Sequence, residues 1–171
     1  DFLNGYQGYM HVDGYKAYEL TIARLVACLA HIRRKFVDAK KIQGKKKSGK
    51  ADVVLSLIGK LYGIEQLIKE KAKEDKFNIR QSQSKPIVQA LHDWLSDHED
   101  KIPPKSKLGE AITYGLNQFE KFQRYLEDGR LSIDNNRAER AIKPFVIGRK
   151  AWLFSNTCNG ARASAILYSI V

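Results

Sequence analysis

The fold is decided by residues 21–42, which read TIARLVACLAHIRRKFVDAKKI. They open with an almost unbroken apolar run, and apolar periodicity alone does not separate a buried strand from a buried helix. In the remainder, Ile32, Phe36 and Ala39 fall on one helical face, with cationic residues over much of the rest. The stretch therefore predicts a strand followed by a basic helix, as in an α/β fold.

Upstream, the residues from Tyr9 to Val12 are apolar and β-prone, and they run into Asp13-Gly14, a strong turn signal. They predict a short strand with Asp13 at its end. A carboxylate at a strand end can point into an open cleft, where it is well placed for chemistry. Aspartate is also a common turn residue that bonds its own backbone, and this stretch alone favours the turn role.

The middle of the chain, residues 45–125, is predicted to be an all-helical block. Apolar residues recur at helical spacing in residues 51–72, 84–96 and 108–126. The basic run of residues 44–50 is expected either to contact phosphate groups or to be a solvated linker.

The C-terminal part predicts a helix, a short strand and a final helix. Residues 134–136 are three consecutive N-cap candidates, and the helix after them is expected to end at Pro144. Residues 149–154 predict a strand or hairpin arm, residues 159–160 a turn, and residues 161–171 a helix.

In the first of these helices, a stripe is predicted to be packed; its members are Ala138, Ala141, Ile142 and Phe145. Glu139 lies at the edge of that stripe, with Arg137, Arg140 and Lys143 beside it. An acid among cations, in a chain of net charge +11, suits a metal ion held beside a phosphodiester. The alternative is a surface ion pair between Glu139 and Lys143. This helix alone favours the ion pair.

The charge narrows the class of function. With 30 Lys and Arg against 19 Asp and Glu, the chain favours a polyanionic partner over a neutral small molecule, although solubility alone is the alternative. Two cysteines far apart in the sequence suggest a reducing, cytoplasmic setting. No apolar run is long enough to predict a membrane span.

Cys28 and His31 form a C-x-x-H pair, which makes them candidate zinc ligands. Zinc sites need about four ligands, and neither Cys158 nor the other histidines add a second close pair. Cys28 is therefore predicted to be a small buried hydrophobe, and His31 either a cleft residue or a core histidine.

Five segments, in order, resemble the transposase family of insertion sequence 66, one of the Asp-Asp-Glu transposases. They are GYMHVDGYKAY (8–18), CLAHIRRKF (28–36), DNNRAERAIKP (134–144), GRKAWLF (148–154) and GARASA (160–165). Each segment alone is weak, whereas five in order are specific. The resemblance spans the chain, with a looser match in the helical middle.

The resemblance implies a partial ribonuclease H-like fold, in which helices flank a mixed sheet that lacks its first strands. Residues 1–44 and 126–171 would form this catalytic core, and residues 45–125 a large helical insertion. The family's first catalytic Asp lies upstream of residue 1 and is not matched by Asp1. This chain by itself is therefore expected to be inactive.

The resemblance also implies two divalent metals, normally Mg²⁺, that activate water or a 3′-hydroxyl for attack on DNA phosphate. Asp13 and Glu139 would be catalytic metal ligands, and His31, Asp134 and Asn136 would help to orient them. The expected partners are transposon ends and target DNA, with oligomerisation on DNA and no membrane. Candidates for DNA contact are the cations Arg33, Arg34, Lys35, Arg137, Arg140, Lys143, Arg149 and Lys150.

Three functions stay open at this point. A metal-dependent DNA strand-transfer enzyme requires that Asp13 and Glu139 converge. A non-catalytic DNA-binding module requires a contiguous basic stripe, built from the helix after His31 and the lysine loop. A structural helical domain, whose charge only keeps it soluble, requires neither.

Overall fold

The computed structural model describes residues 3, 5–42, 49–152 and 157–170, apart from the side chains of residues 145, 149–152 and 168–170. The chain divides into two compact units, residues 1–135 and residues 136–171. Most described residues are helical, and they include one two-stranded parallel sheet, so the fold is α/β with helix dominant. The predicted division into a core and a 45–125 insertion stays a prediction.

The sheet of the first unit consists of β1 (Tyr9–Val12) and β2 (Arg24–Ala27). The strands are parallel, with Tyr9 opposite Arg24 and Val12 opposite Ala27. A short 3₁₀ helix, Lys16–Leu20, lies in the connection between them. Both predicted strands are confirmed, and β2 settles the ambiguous apolar run in favour of a strand.

Helix α1 (Leu29–Ile42) follows β2 after a single residue. Its buried face holds Leu29, Ile32, Phe36 and Ala39, which confirms the predicted apolar stripe. The cationic residues Arg33, Arg34 and Lys35 lie on the exposed side. The sequence of α1 therefore gives it one face for the core and one for solvent.

The helical block contains α2 (Lys50–Leu67), α3 (Lys73–Ile79), α4 (Lys85–Glu99) and α5 (Lys107–Gln123). A π-helical segment, Arg80–Ser84, joins α3 to α4, and a 3₁₀ turn, Arg124–Leu126, follows α5. Helix α3 and the π segment were not predicted, because their sequence KEDKFNIRQSQS has too few apolar residues for a clear period. Residues 44–48 of the predicted lysine loop lie outside the described residues.

The core of the first unit forms where α1 packs against α2 and α5, and α4 packs against the same two helices. Its fully buried side chains include Phe36, Leu61, Leu91, Ile112 and Phe122. Helix α5 also packs against β2. The helical block is therefore continuous with the core beneath the sheet.

Arg80 is the largest fully buried side chain of this unit, with 2% of its surface exposed. Its Nε and one Nη bond the two carboxylate oxygens of Glu65, at 2.9 and 2.7 Å. The remaining N–H groups donate to the carbonyl oxygens of Tyr125, Asp128 and Leu131, at 3.1, 3.0 and 2.9 Å. These contacts use all five donors of a guanidinium. Arg80 thus fixes the π segment to α2 and to the loop after α5.

The second unit consists of α6 (Asn136–Trp152) and α7 (Cys158–Ile170). The final predicted helix is confirmed, but α6 does not end at Pro144 and instead continues to Trp152. Proline removes one backbone hydrogen bond, and the residues on either side can still complete theirs. The stripe predicted to be packed is exposed at Ala138, Ala141 and Ile142.

Two further local predictions for this unit are wrong. Residues 149–152 are helical rather than extended, and residues 153–154 lie outside the described residues. Residues 159–160 belong to the first turn of α7. Thr157 caps that turn, since its Oγ1 accepts the N–H of Gly160 at 3.1 Å, and a capped first turn tolerates an Asn-Gly pair.

We predict that Arg80→Met destabilises the first unit by about 3–5 kcal/mol, because it leaves Glu65 and three carbonyl groups without their buried donor. The free energy of unfolding can be measured by urea titration followed by circular dichroism. Arg130→Met is the matched control, since Arg130 is exposed and pairs only with Asp128 among the described residues. A loss no larger than that of the control would contradict the role given to Arg80.

Candidate active site

The carboxyl ends of β1 and β2 lie side by side, and the residues after them carry the candidate site. Val12 is paired with Ala27, so Asp13 and Cys28 leave the sheet at the same edge. The N–H of Cys28 donates to the carbonyl oxygen of Val12 at 3.2 Å. In α/β proteins, ligands bind outside the carboxyl ends of parallel strands. This edge is therefore the favoured place for chemistry in the first unit.

Asp13 is exposed and closes a turn with its own backbone. Its Oδ1 accepts the N–H of Tyr15 at 3.1 Å. Gly14 has a φ of +91°, in the left-handed region that favours glycine. The turn role favoured by the sequence is therefore confirmed. The bond engages Oδ1 alone, so a turn role and a metal-binding role are compatible.

The same turn is held from the helical block by Tyr114, on α5. Its hydroxyl donates to the carbonyl oxygen of Asp13 at 3.0 Å. A Cβ at Gly14 would lie 3.0 Å from that hydroxyl, so glycine also allows the close approach. Burial raises the pKa of Tyr114, and the charge of Asp13 adds to the rise. The phenol therefore stays protonated and able to donate.

Cys28 lies against the segment of residues 133–135. Its Sγ accepts the N–H of Asn135 at 3.2 Å, and the N–H of Leu29 donates to the carbonyl oxygen of Ile133 at 3.1 Å. Cys28 is 2% exposed, and burial raises the pKa of its thiol. The prediction of a small buried hydrophobe is confirmed, and the structure adds a role as hydrogen-bond acceptor.

Asp134 is half-buried in the centre of that segment. The hydroxyl of Tyr62, on α2, donates to its Oδ2 at 2.9 Å. Burial raises the pKa of Tyr62, and the charge of Asp134 raises it further. Burial also lowers the pKa of His11, on β1, and the charge of Asp134 opposes that shift. Asp134 therefore accepts a hydrogen bond from Tyr62, and its charge acts on the half-buried imidazole of His11.

Cations of α1 border this edge of the sheet. The positive charge of Arg33 acts to lower the pKa of Tyr62, and that of Arg34 acts to lower the pKa of Tyr114. The Nζ of Lys35 lies 5.4 Å from the centre of the Tyr114 ring. His31 is half-buried in the first turn of α1, where its backbone N–H donates to the carbonyl oxygen of Cys28. The exposed basic face of α1 thus begins in the second turn of the helix, close to the carboxyl end of β2.

Glu139 belongs to the second unit, in the first turn of α6. Asn136 begins that helix and is half-buried, whereas Arg137, Glu139, Arg140 and Lys143 are exposed. A carboxylate in the first turn is favoured by the positive end of the helix dipole. The side chains of Arg149 and Lys150 lie outside the described residues. The convergence of Glu139 with Asp13 stays a prediction.

Three of the residues singled out from the sequence lie in the first unit: Asp13 directly after β1, His31 in the first turn of α1, and Asp134 in the segment that packs on Cys28. Within the described ranges, no three carboxylate, imidazole or thiol side chains form a preassembled metal cluster. Tyr62 and Tyr114 were not predicted to be site residues. Both lie in helices that pack on the core, where an aromatic residue in the sequence signals packing rather than hydrogen bonding.

Comparison with known proteins places these residues in a family. A family model described as "Transposase IS66 family" matches residues 1–163. Three uncharacterized proteins of Sinorhizobium fredii, y4jD, y4hP and y4qI, are 35%, 32% and 36% identical to the chain. Each alignment covers 99% of this chain and 33–34% of the relative. The chain thus spans about a third of the length of the curated relatives it matches.

No solved structure matches the chain. None of the helices in the described part of the chain combines the length and the apolarity that crossing a membrane requires.

We predict that iodoacetamide modifies Cys158 but not Cys28 in the folded chain, because Cys158 is exposed and Cys28 is buried. Peptide mapping by mass spectrometry, in buffer and in urea, measures both thiols. Cys158→Ser should abolish labelling in buffer and leave one labelled thiol in urea. Rapid labelling of Cys28 without denaturant would contradict the packing of residues 133–135 against it.

Proposed function

This chain belongs to the IS66 transposase family, and on that premise we propose that it forms part of a catalytic domain that cleaves and joins DNA strands with divalent metal ions. The observation that carries the proposal is the position of Asp13. It follows β1 at the carboxyl edge of a parallel sheet, beside an exposed basic helix. A carboxylate bordered by cations in this way suits work on a phosphodiester.

The proposed frame is a partial ribonuclease H-like core, with the helical block as an insertion. Parallel strands β1 and β2, with α1 directly after β2, supply parts that a mixed sheet flanked by helices requires. The four helices α2 to α5 then account for the long separation in sequence between Asp13 and Glu139.

Asp13 and Glu139 are the proposed ligands for Mg²⁺. Both present carboxylate oxygens on exposed side chains, and hard oxygen ligands suit this ion. When bound, the metal would polarise the phosphate and activate water or a 3′-hydroxyl for attack. His31, Asp134 and Asn136 are proposed to hold the surrounding backbone in place.

The exposed cations would bind the DNA backbone. Arg33, Arg34 and Lys35 lie on the exposed face of α1, and Lys35 lies over the ring of Tyr114, which bonds the turn at Asp13. Arg137, Arg140 and Lys143 flank Glu139 along the chain. Arginine and lysine neutralise phosphate charge without reading sequence, so these residues would position DNA rather than select it. The same basic face also supports the second candidate, a DNA-binding module without catalysis.

Because the chain spans a third of its relatives, activity is to be measured on the full-length protein. We predict that Glu139→Gln lowers Mg²⁺-dependent strand cleavage by more than about a hundredfold, since residues that only support metal ligands are already worth 10–100-fold. DNA affinity should be nearly unchanged, because Glu139 is proposed to contact a metal and not a phosphate.

The matched control for Glu139→Gln is Glu110→Gln. Glu110 is an exposed helical glutamate that pairs with Lys107 at 2.8 Å. A surface ion pair of this kind is the alternative role for Glu139. Cleavage should be unaffected in this control. Full cleavage by the Glu139→Gln protein would refute the catalytic assignment and favour the DNA-binding module.

We predict that Arg33→Gln and Arg34→Gln each weaken DNA binding and reduce the slope of log Kd against log salt concentration by about one, as expected for one lost phosphate contact. Fluorescence anisotropy with a labelled duplex of arbitrary sequence, over a range of KCl concentrations, measures the slope. Lys41→Gln is the control, since Lys41 lies at the far end of α1 and pairs with Asp38. Unchanged slopes in both arginine variants would contradict a DNA contact on this face.

A further inference from the structure

Two tyrosine hydroxyls of the helical block reach the two stretches of chain that the proposed function places at the active site. Tyr114 donates to the backbone of Asp13 at 3.0 Å, and Tyr62 donates to the carboxylate of Asp134 at 2.9 Å. Asp13 is a proposed metal ligand. Asp134 lies two residues before the start of α6, the helix that carries Glu139. The partners lie 101 and 72 residues apart in sequence, so neither contact follows from local structure.

We infer that Tyr62 and Tyr114 are positioning residues, through which the helical block holds the turn at Asp13 and the segment that leads along the chain into the helix of Glu139. The inference rests on the proposed function, in which the helical block would support the backbone of the active site. Neither tyrosine is assigned a contact with metal or DNA. Each acts through the residue that it bonds.

The turn at Asp13 needs such support because it is exposed and contains a glycine. The N–H of Tyr15 holds the side chain of Asp13, and the hydroxyl of Tyr114 holds its carbonyl group. Without that hydroxyl, the turn keeps its internal bond but loses its tether to α5. A displacement of about 1 Å in a catalytic group can cost roughly a hundredfold in rate.

The segment before α6 is held at three successive residues. The carbonyl oxygen of Ile133 and the N–H of Asn135 bond the backbone of Leu29 and the sulfur of Cys28, which tie the segment to the end of β2. The bond from Tyr62 to Asp134 ties its centre to α2. Removing this hydroxyl deprives a half-buried carboxylate of a donor, which disturbs a segment far more than the loss of an exposed contact.

A plain packing role is the competing explanation, because both tyrosine rings are partly buried against the hydrophobic core. Replacement by phenylalanine separates the two explanations. It keeps the ring and its packing and removes only the hydroxyl group. A packing role therefore predicts no effect of Tyr62→Phe or Tyr114→Phe.

The chain offers a matched control for each variant. The hydroxyl of Tyr6 donates to the carbonyl oxygen of Tyr9 at 2.9 Å, the same type of bond as that of Tyr114. The hydroxyl of Tyr9 donates to the carboxylate of Glu127 at 2.8 Å, the same type of bond as that of Tyr62. Tyr6→Phe and Tyr9→Phe thus remove equivalent bonds away from the site.

The test uses the full-length protein and two readouts. The first is hydrogen–deuterium exchange of the peptides that contain residues 13–15 and 133–140. The second is the single-turnover rate of cleavage, with Mg²⁺, of a plasmid carrying the DNA that flanks the protein's own gene. Tyr114→Phe should speed exchange in the first peptide and Tyr62→Phe in the second. Each should slow cleavage by about tenfold and change the Kd for DNA by less than about twofold.

Exchange and cleavage that match those of the two control variants would overturn the inference. So would faster exchange with an unchanged cleavage rate, because the hydroxyls would then hold the backbone without serving the reaction. A wild-type protein that does not cleave would refute the proposed function instead. The exchange measurements would still decide in that case whether the tyrosines fix the two stretches of backbone.

Discussion

A buried guanidinium must find an acceptor for every N–H group, and the first unit is arranged around that requirement. Arg80 satisfies it with Glu65 on α2 and with three carbonyl groups between residues 125 and 131. The last of these, Leu131, lies two residues before the segment that packs on Cys28. One side chain therefore joins α2 and the π segment to the stretch of chain that leads from the helical block to the segment on Cys28.

The parts of the fold that the sequence predicted are those that a local pattern encodes. Helix α1 buries a regular stripe, and β1 is a β-prone run that ends at a turn signal, and both were predicted correctly. The error at Pro144 arose because a helix tolerates a proline when the residues on either side complete their own hydrogen bonds. The error at residues 159–160 arose because Thr157 caps the first turn of the last helix, which then tolerates an Asn-Gly pair. The role of Arg80 was not predictable, since nothing in a local window shows that an arginine will be buried.

The residues of the candidate site also differ in whether a local sequence pattern predicts them. Asp13 and Cys28 could be placed from the sequence because each directly follows a strand, and a parallel pair brings such positions to one edge. Tyr62 and Tyr114 could not, because their partners lie 72 and 101 residues away. The turn role and the proposed metal-binding role of Asp13 are compatible, since the turn uses one carboxylate oxygen. Membership of the IS66 transposase family is the basis for the proposal that these separate positions serve one reaction.

The close approach of Tyr114 to Gly14 restricts how this chain can vary. A side chain at position 14 would need a left-handed backbone and would lie 3.0 Å from the tyrosine hydroxyl. Tyr114, on a helix of the block, therefore restricts which residues fit at position 14, after the strand. A chimera that receives its helical block from a distant relative would have to receive a compatible turn with it.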